Sequence, residues 1–141
     1  MNLLIIQGPN LNLLGKKSSQ AGECITLDKI NKALRLLVRN QNINLKFLQT
    51  HKIERTITSL QRNRNWADGI LFIPTSWGRN EYTILETIVL IDIKTTVLYF
   101  DSGYSFGTDA KDSIMVADNI KDFTGHPVEV SIKGLEYLVN K

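Results

Sequence analysis

The chain has 141 residues, 43% hydrophobic and 22% charged, with seventeen Lys and Arg against fourteen Asp and Glu, a net charge of +3. Such a chain buries about two thirds of its unfolded surface around one core, which excludes disorder and leaves no room for a second domain. Its longest apolar runs fall far short of the roughly 18 residues of a membrane span, and a weak positive charge, with Lys and Arg read as interspersed among Asp and Glu, argues against a nucleic-acid partner. Cys24 is the single cysteine, so no internal disulfide forms, and the first residues lack the basic start of a signal peptide. A cytoplasmic address is the expectation.

In chain order, Asn2 to Ile6 is a continuous apolar run and predicts a buried strand. It ends at Gly8-Pro9-Asn10, a sharp stop, because Pro9 fixes its own φ and Gly8 tolerates unusual angles. The segment from Gln7 to Glu23 reads as a loop. Thr26 caps a helix carrying Leu27, Ile30, Leu34, Leu37 and Val38 at helical spacing. Ile43 to Leu48 is the second strand, followed by a helix on Ile53, Ile57 and Leu60. Gly69 to Ile73 is the third, followed by a loop from Pro74 and a helix capped by Asn80, with Ile84, Leu85, Ile88 and Val89 on its apolar stripe. Thr95 to Phe100 is the fourth strand, and the loop Asp101 to Thr108 follows it. Ile114, Met115, Ile120 and Phe123 suggest a helix within 109–123. A fifth strand is expected over Pro127 to Ile132 and a last helix over Lys133 to Val139. Alternating strands and helices predict one domain over residues 1–141, a flavodoxin-like three-layer α/β sandwich on a five-stranded parallel sheet.

The polar loops gather where ligands bind in such sheets, beyond the carboxyl ends of the strands. Asn10 either touches a ligand or bonds its own turn. Lys17 and Arg79 form a cationic pair able to grip a carboxylate or phosphate, or else are solvated surface charge. Trp77 either stacks on a ligand or subunit, or packs beneath the first loop. His51, His126 and Cys24 have no paired ligand spacing, so no metal is expected, and Cys24 reads as a small packed residue. The Asp101 loop lacks the Gly-Lys-Ser/Thr ending of a phosphate cradle, and no G-x-G-x-x-G follows the first strand. No cofactor is expected.

The run Gly8-Pro9-Asn10-Leu11-Asn12-Leu13-Leu14-Gly15 resembles, letter for letter, the opening signature of type II 3-dehydroquinate dehydratases, shikimate-pathway lyases of flavodoxin-like fold. The resemblance implies that the first loop is a lid carrying an Arg and a catalytic Tyr, the base. Lys17 takes the Arg position and Gly22 the Tyr position, and no tyrosine precedes Tyr82. Gln49-Thr50-His51-Lys52-Ile53 matches only the start of the family's second strand-end run. Pro74 places Ile73 at a family Asn and Arg79 at the catalytic His, an acid that Arg cannot replace, because its pKa above about 12 keeps the proton bound. Phe100 takes the position of another His. Ser102 matches the serine that holds the substrate carboxylate, Lys111 a substrate-binding Arg, and Glu86 an acid that reaches into a neighbouring subunit.

Asn10 thus remains while the base and acid are replaced. Each contributes about 10²- to 10⁴-fold. The expectation is a catalytically inactive or altered homologue that keeps the fold, the family's trimeric or dodecameric assembly and binding of a small anionic ligand. The alternatives are a divergent active lyase and a purely structural oligomer. Contacts between subunits are expected at Tyr82, Ile84 and Ile88, with Val97 and Tyr99 nearby, and core packing accounts for the same residues equally well.

Overall fold

A computed structural model describes residues 1–105 and 107–140. Five parallel strands run β1 (Asn2–Gln7), β2 (Asn44–Gln49), β3 (Gly69–Ile73), β4 (Thr95–Phe100) and β5 (Ile120–Gly125), in the sheet order β2-β1-β3-β4-β5. Helices α1 (Leu14–Gln20), α2 (Leu27–Leu37), α3 (Ile53–Arg62), α4 (Tyr82–Ile91) and α5 (Pro127–Val139) complete a flavodoxin-like α/β sandwich. Among the described residues no helix is long and apolar enough to cross a membrane.

Strand alternation sorts the core into two layers. Leu3, Ile5, Leu71, Ile73, Leu98 and Phe100 face α2 and α5, meeting Ile30, Leu34, Val130 and Leu135. Leu4, Ile6, Ile70, Phe72, Val97 and Tyr99 face α3 and α4, meeting Leu60, Ile84 and Ile88. Register is continuous across the centre, with Ile5 opposite Leu71 and Leu71 opposite Thr96. A slip of one residue would exchange the two layers, so both faces enforce the pairing.

The structure corrects the sequence expectation in four places. Residues 11–20 are not loop: a 3-10 turn (Leu11–Leu13) leads into α1, because Leu11, Leu14 and Ser18 share one buried face. The Ser18 hydroxyl donates to Ile25 O at 2.7 Å and accepts from Ile25 N at 2.8 Å, tying α1 to the segment before α2. The fifth strand is Ile120–Gly125 rather than Pro127 to Ile132, and the helix expected within 109–123 is a short 3-10 turn (Ala110–Asp112) with that strand. Pro127 opens α5, where its missing N–H costs nothing, and His126 caps the helix. Thr26 caps α2 as expected, whereas α4 starts after Glu81 with no side-chain cap, so Asn80 does not have that role.

Candidate functional site

The order of strands reverses between β1 and β3, so the loops leaving their carboxyl ends would diverge and open a crevice. Here they are fastened together. Gly8 N donates to Ile73 O at 2.8 Å, and a Cβ at Gly8 would stand 2.6 Å from Pro74 O, so only glycine admits this approach. The Thr75 hydroxyl donates to Pro9 O at 2.9 Å. Thr75 holds φ at 50°, a costly left-handed angle for a β-branched residue. The loop after β4 presses on the same corner: a Cβ at Gly107 would lie 2.4 Å from Ser76 N. Among Ile73, Thr75, Phe100, Ser105 and Thr108 only about 10 Å³ stays empty. That is room for at most one water.

Open space lies to either side of α1. A cavity of about 590 Å³ is bordered by Lys17, Phe100, Ser102, Gly103, Asp109 and Lys111. A second, of about 320 Å³, is bordered by Asn10, Leu13, Lys16, Lys17 and Gln20. Lys17 stands on both walls, so the structure brings Lys17, Ser102 and Lys111 around one cavity and Asn10 onto the next. Asn10 is exposed, at φ 70°, and forms no cap bond. Arg79 is exposed beyond the 3-10 turn Thr75–Gly78 and borders neither cavity. Gly22 is exposed at φ 82° with nothing within 4 Å of an added Cβ. Glu86 is exposed on α4. Cys24 is exposed rather than packed, and Trp77 is buried against Phe72 on the α3/α4 side, not beneath the first loop.

Sequence reasoning missed a cluster beside the larger cavity. The Tyr104 hydroxyl donates to Glu23 Oε2 at 2.5 Å, and His126 Nε2 lies 3.2 Å from Glu23 Oε1. The rings of Tyr104 and His126 meet edge to face at 5.1 Å. His126 Nδ1 accepts the Val128 N–H at 3.3 Å, which assigns the neutral ring's proton to Nε2, where it donates to Glu23. The Tyr104 hydrogen bond, with His126 adding to it, holds the Glu23 carboxyl below its ordinary 4.5, and the same bond to Glu23 raises Tyr104 above 10.0. Glu23 thereby joins the end of the α1–α2 connection to the loops after β4 and β5. The three residues are 81 and 103 positions apart in sequence. Only the His126-Pro127 pair, a helix-start signal, was legible.

The class II dehydroquinase family model matches residues 1–100. The chain is 25% identical over 139 residues to a 3-dehydroquinate dehydratase of Clostridium botulinum, covering 99% of this chain and 95% of the relative. It is 27% identical over 115 residues to one of Pelotomaculum thermopropionicum, covering 82% and 80%. In fold it is similar to a type II dehydroquinase from Butyrivibrio crossotus, with a TM-score of 0.82 at 19% identity over 99% of this chain and 98% of that one. A 3-dehydroquinate dehydratase-like protein from Bifidobacterium longum superposes with a TM-score of 0.62 at 10% identity, covering 100% and 99%. With the Gly8–Gly15 signature at the strand end, the β2-β1-β3-β4-β5 sheet and a family match that spans most of its length, the chain belongs to the class II dehydroquinase family.

Proposed function

We propose that this chain keeps the dehydroquinase shell and binds a small organic anion beside Lys17 without dehydrating 3-dehydroquinate. The observation that carries the reading is the narrow corner: Ile73 and Phe100 are buried where the family resemblance puts an Asn and a His, and the cavity of about 10 Å³ between them holds at most a water, while the roomy space beside Phe100 is the 590 Å³ cavity at Lys17. Gly22, at the position of the base, has no side chain to take a proton. Tyr104 is no substitute, because its bond to Glu23 keeps its proton on. Arg79, at the position of the acid, gives up no proton near neutrality. Anion binding draws on the Lys17 and Lys111 ammonium groups and the Ser102 hydroxyl around the 590 Å³ cavity, with Asp101 and Asp109 tempering their charge.

A turnover assay on purified protein tests the chemistry. Dehydration is expected at least about 10⁴-fold below that of an active dehydratase, since base and acid terms are both lost. Turnover that Asn10→Ala abolishes would overturn the reading in favour of a divergent active lyase. For binding, quinate is expected to raise the melting temperature, and Lys17→Ala to remove that rise.

Self-assembly belongs to the same proposal. Ile84, Ile88, Val97 and Tyr99 are core residues and cannot form subunit contacts. Tyr82, Val89 and Leu90 are exposed and share the outer face of α4 with Glu86. An exposed apolar face with one acid suits a contact between copies. Light scattering is expected to give a multiple of three times 16.0 kDa, and a monomer's mass would refute assembly.

A further inference from the structure

The net charge of +3 conceals a division that contradicts the interspersed pattern read from the sequence. Residues 29–66 hold nine Lys and Arg against the single Glu54, a net +8, while residues 67–140 hold five Lys and Arg against eleven Asp and Glu, a net −6. The β2 edge lies in the basic part: α2, β2 and α3 form the β2 side of the sheet, and β4, β5 and α5 the other, the two meeting where α2 packs on α5 and α3 on α4. Four strand spacings of about 4.8 Å separate β2 from β5 by about 19 Å. That is more than two Debye lengths of about 8 Å, so the carboxylates of β5 do not neutralise cations at the β2 edge. Among the described residues the only ion pair within 4 Å is His126–Glu23, which leaves the basic residues of this side without carboxylate partners.

The basic side also has an unused strand edge. β2 pairs with β1 alone. Asn44 N and Thr50 N donate to β1 carbonyls at Met1 and Gln7, so by strand alternation the Leu45, Phe47 and Gln49 amides point away from the sheet. Along that edge runs a groove of about 490 Å³ with Val38, Ile43, Leu45 and Phe47 in its lining and Arg35 and Arg39 beside them. Two cations are set against aromatic rings there, Arg35 at 4.6 Å from the Phe47 centroid and Lys46 at 4.1 Å from that of Trp66.

We propose that the β2 edge is a docking site for an extended acidic segment of a partner protein, which adds beside β2 as a sixth parallel or antiparallel strand. Each observation supplies one requirement of strand addition: free main-chain groups for affinity, a groove in which Ile43, Leu45 and Phe47 sit among Asn40, Gln41 and Asn44 to receive alternate side chains, and flanking cations for an acidic sequence. A second copy docking through the same edge is disfavoured, because it would bring two +8 surfaces together. A nucleic acid would use the cations but not the outward amides.

The test uses the full chain and a fluorescein-labelled peptide of alternating Glu and Val, about as long as a typical strand of five or six residues plus short flanks. Fluorescence anisotropy is expected to show binding that weakens with salt and falls at least about tenfold in Arg35→Glu/Arg39→Glu, while a Lys-Val peptide does not bind. Leu45→Pro removes an outward amide without changing charge and is expected to weaken binding about fivefold, with circular dichroism confirming the fold. Should that variant unfold, hydrogen exchange on the unaltered chain decides: the Leu45, Phe47 and Gln49 amides must slow when the peptide is added. Absence of binding, unchanged exchange at those amides, or an oligothymidine that binds more tightly than the peptide would overturn the proposal.

Discussion

The two halves of one loop cluster differ in what fills them. At β1 and β3 the chain packs backbone on backbone, with Gly8, Thr75 and Gly107 at contacts that no larger or differently shaped residue would reproduce. Beyond β4, around Lys17, Ser102 and Lys111, the space is open and its walls mix these polar side chains with Tyr99, Phe100 and Ala110. The polypeptide has invested its conformational precision in the corner whose signature identifies the family, yet it has closed that corner with Phe100 and Ile73.

Phe100→Ala tests this contrast most severely. It is expected to cost about 3–5 kcal/mol in urea denaturation by leaving a cavity in the packed half. A loss under about 1 kcal/mol would mean that the corner is not close-packed. Gly8→Ala comes next, at about 2–3 kcal/mol, because the added methyl meets the Pro74 carbonyl, a backbone atom that cannot swing aside. Lys17→Ala, on the open half, should change stability by no more than about 0.5 kcal/mol while removing the response to quinate.

The smallest effect belongs to the exposed Glu23, Tyr104 and His126 cluster. The Glu23 carboxyl is held below 4.5, so its contribution is full above that pH and lost as pH falls through the lower folded value. Tyr104 is raised above 10.0, so its contribution is full below that pH and lost as pH climbs through the higher folded value. Ultraviolet titration of Glu23→Gln should bring one tyrosine transition back toward 10, and an unchanged titration would show that the contact with Glu23 is not made in solution.

Strands β1 to β4 were legible because each is an apolar run bounded by polar or glycine-containing segments. β5 was not: it is an edge strand with Lys121, Asp122 and Thr124 exposed, so its pattern lacks the continuous burial of a central strand. The run after Pro127 looked like a strand because Val128, Val130 and Ile132 alternate. Its buried residues instead follow a helical face through Val130, Ser131, Gly134, Leu135 and Leu138, behind the His126 cap and Pro127 at the first turn. Of the residues singled out from the sequence, Lys17, Ser102 and Lys111 border one cavity beyond the strand ends, while Arg79 lies on neither cavity wall, because the turn Thr75–Gly78 carries it past the edge.

The sequence by itself pointed to the family, through Gly8–Gly15, and to a parallel sheet covered on both faces, through apolar runs alternating with amphipathic helices; the strand order came from the tertiary structure. The sequence determined as well that Gly22 and Arg79 cannot perform base and acid chemistry, since that follows from side-chain type alone. Only the tertiary structure decided that the corner is shut, that Glu23 meets residues 81 and 103 positions away, and that the basic half forms one open edge. These depend on distances between segments remote in the chain, which packing sets and which local periodicity does not encode.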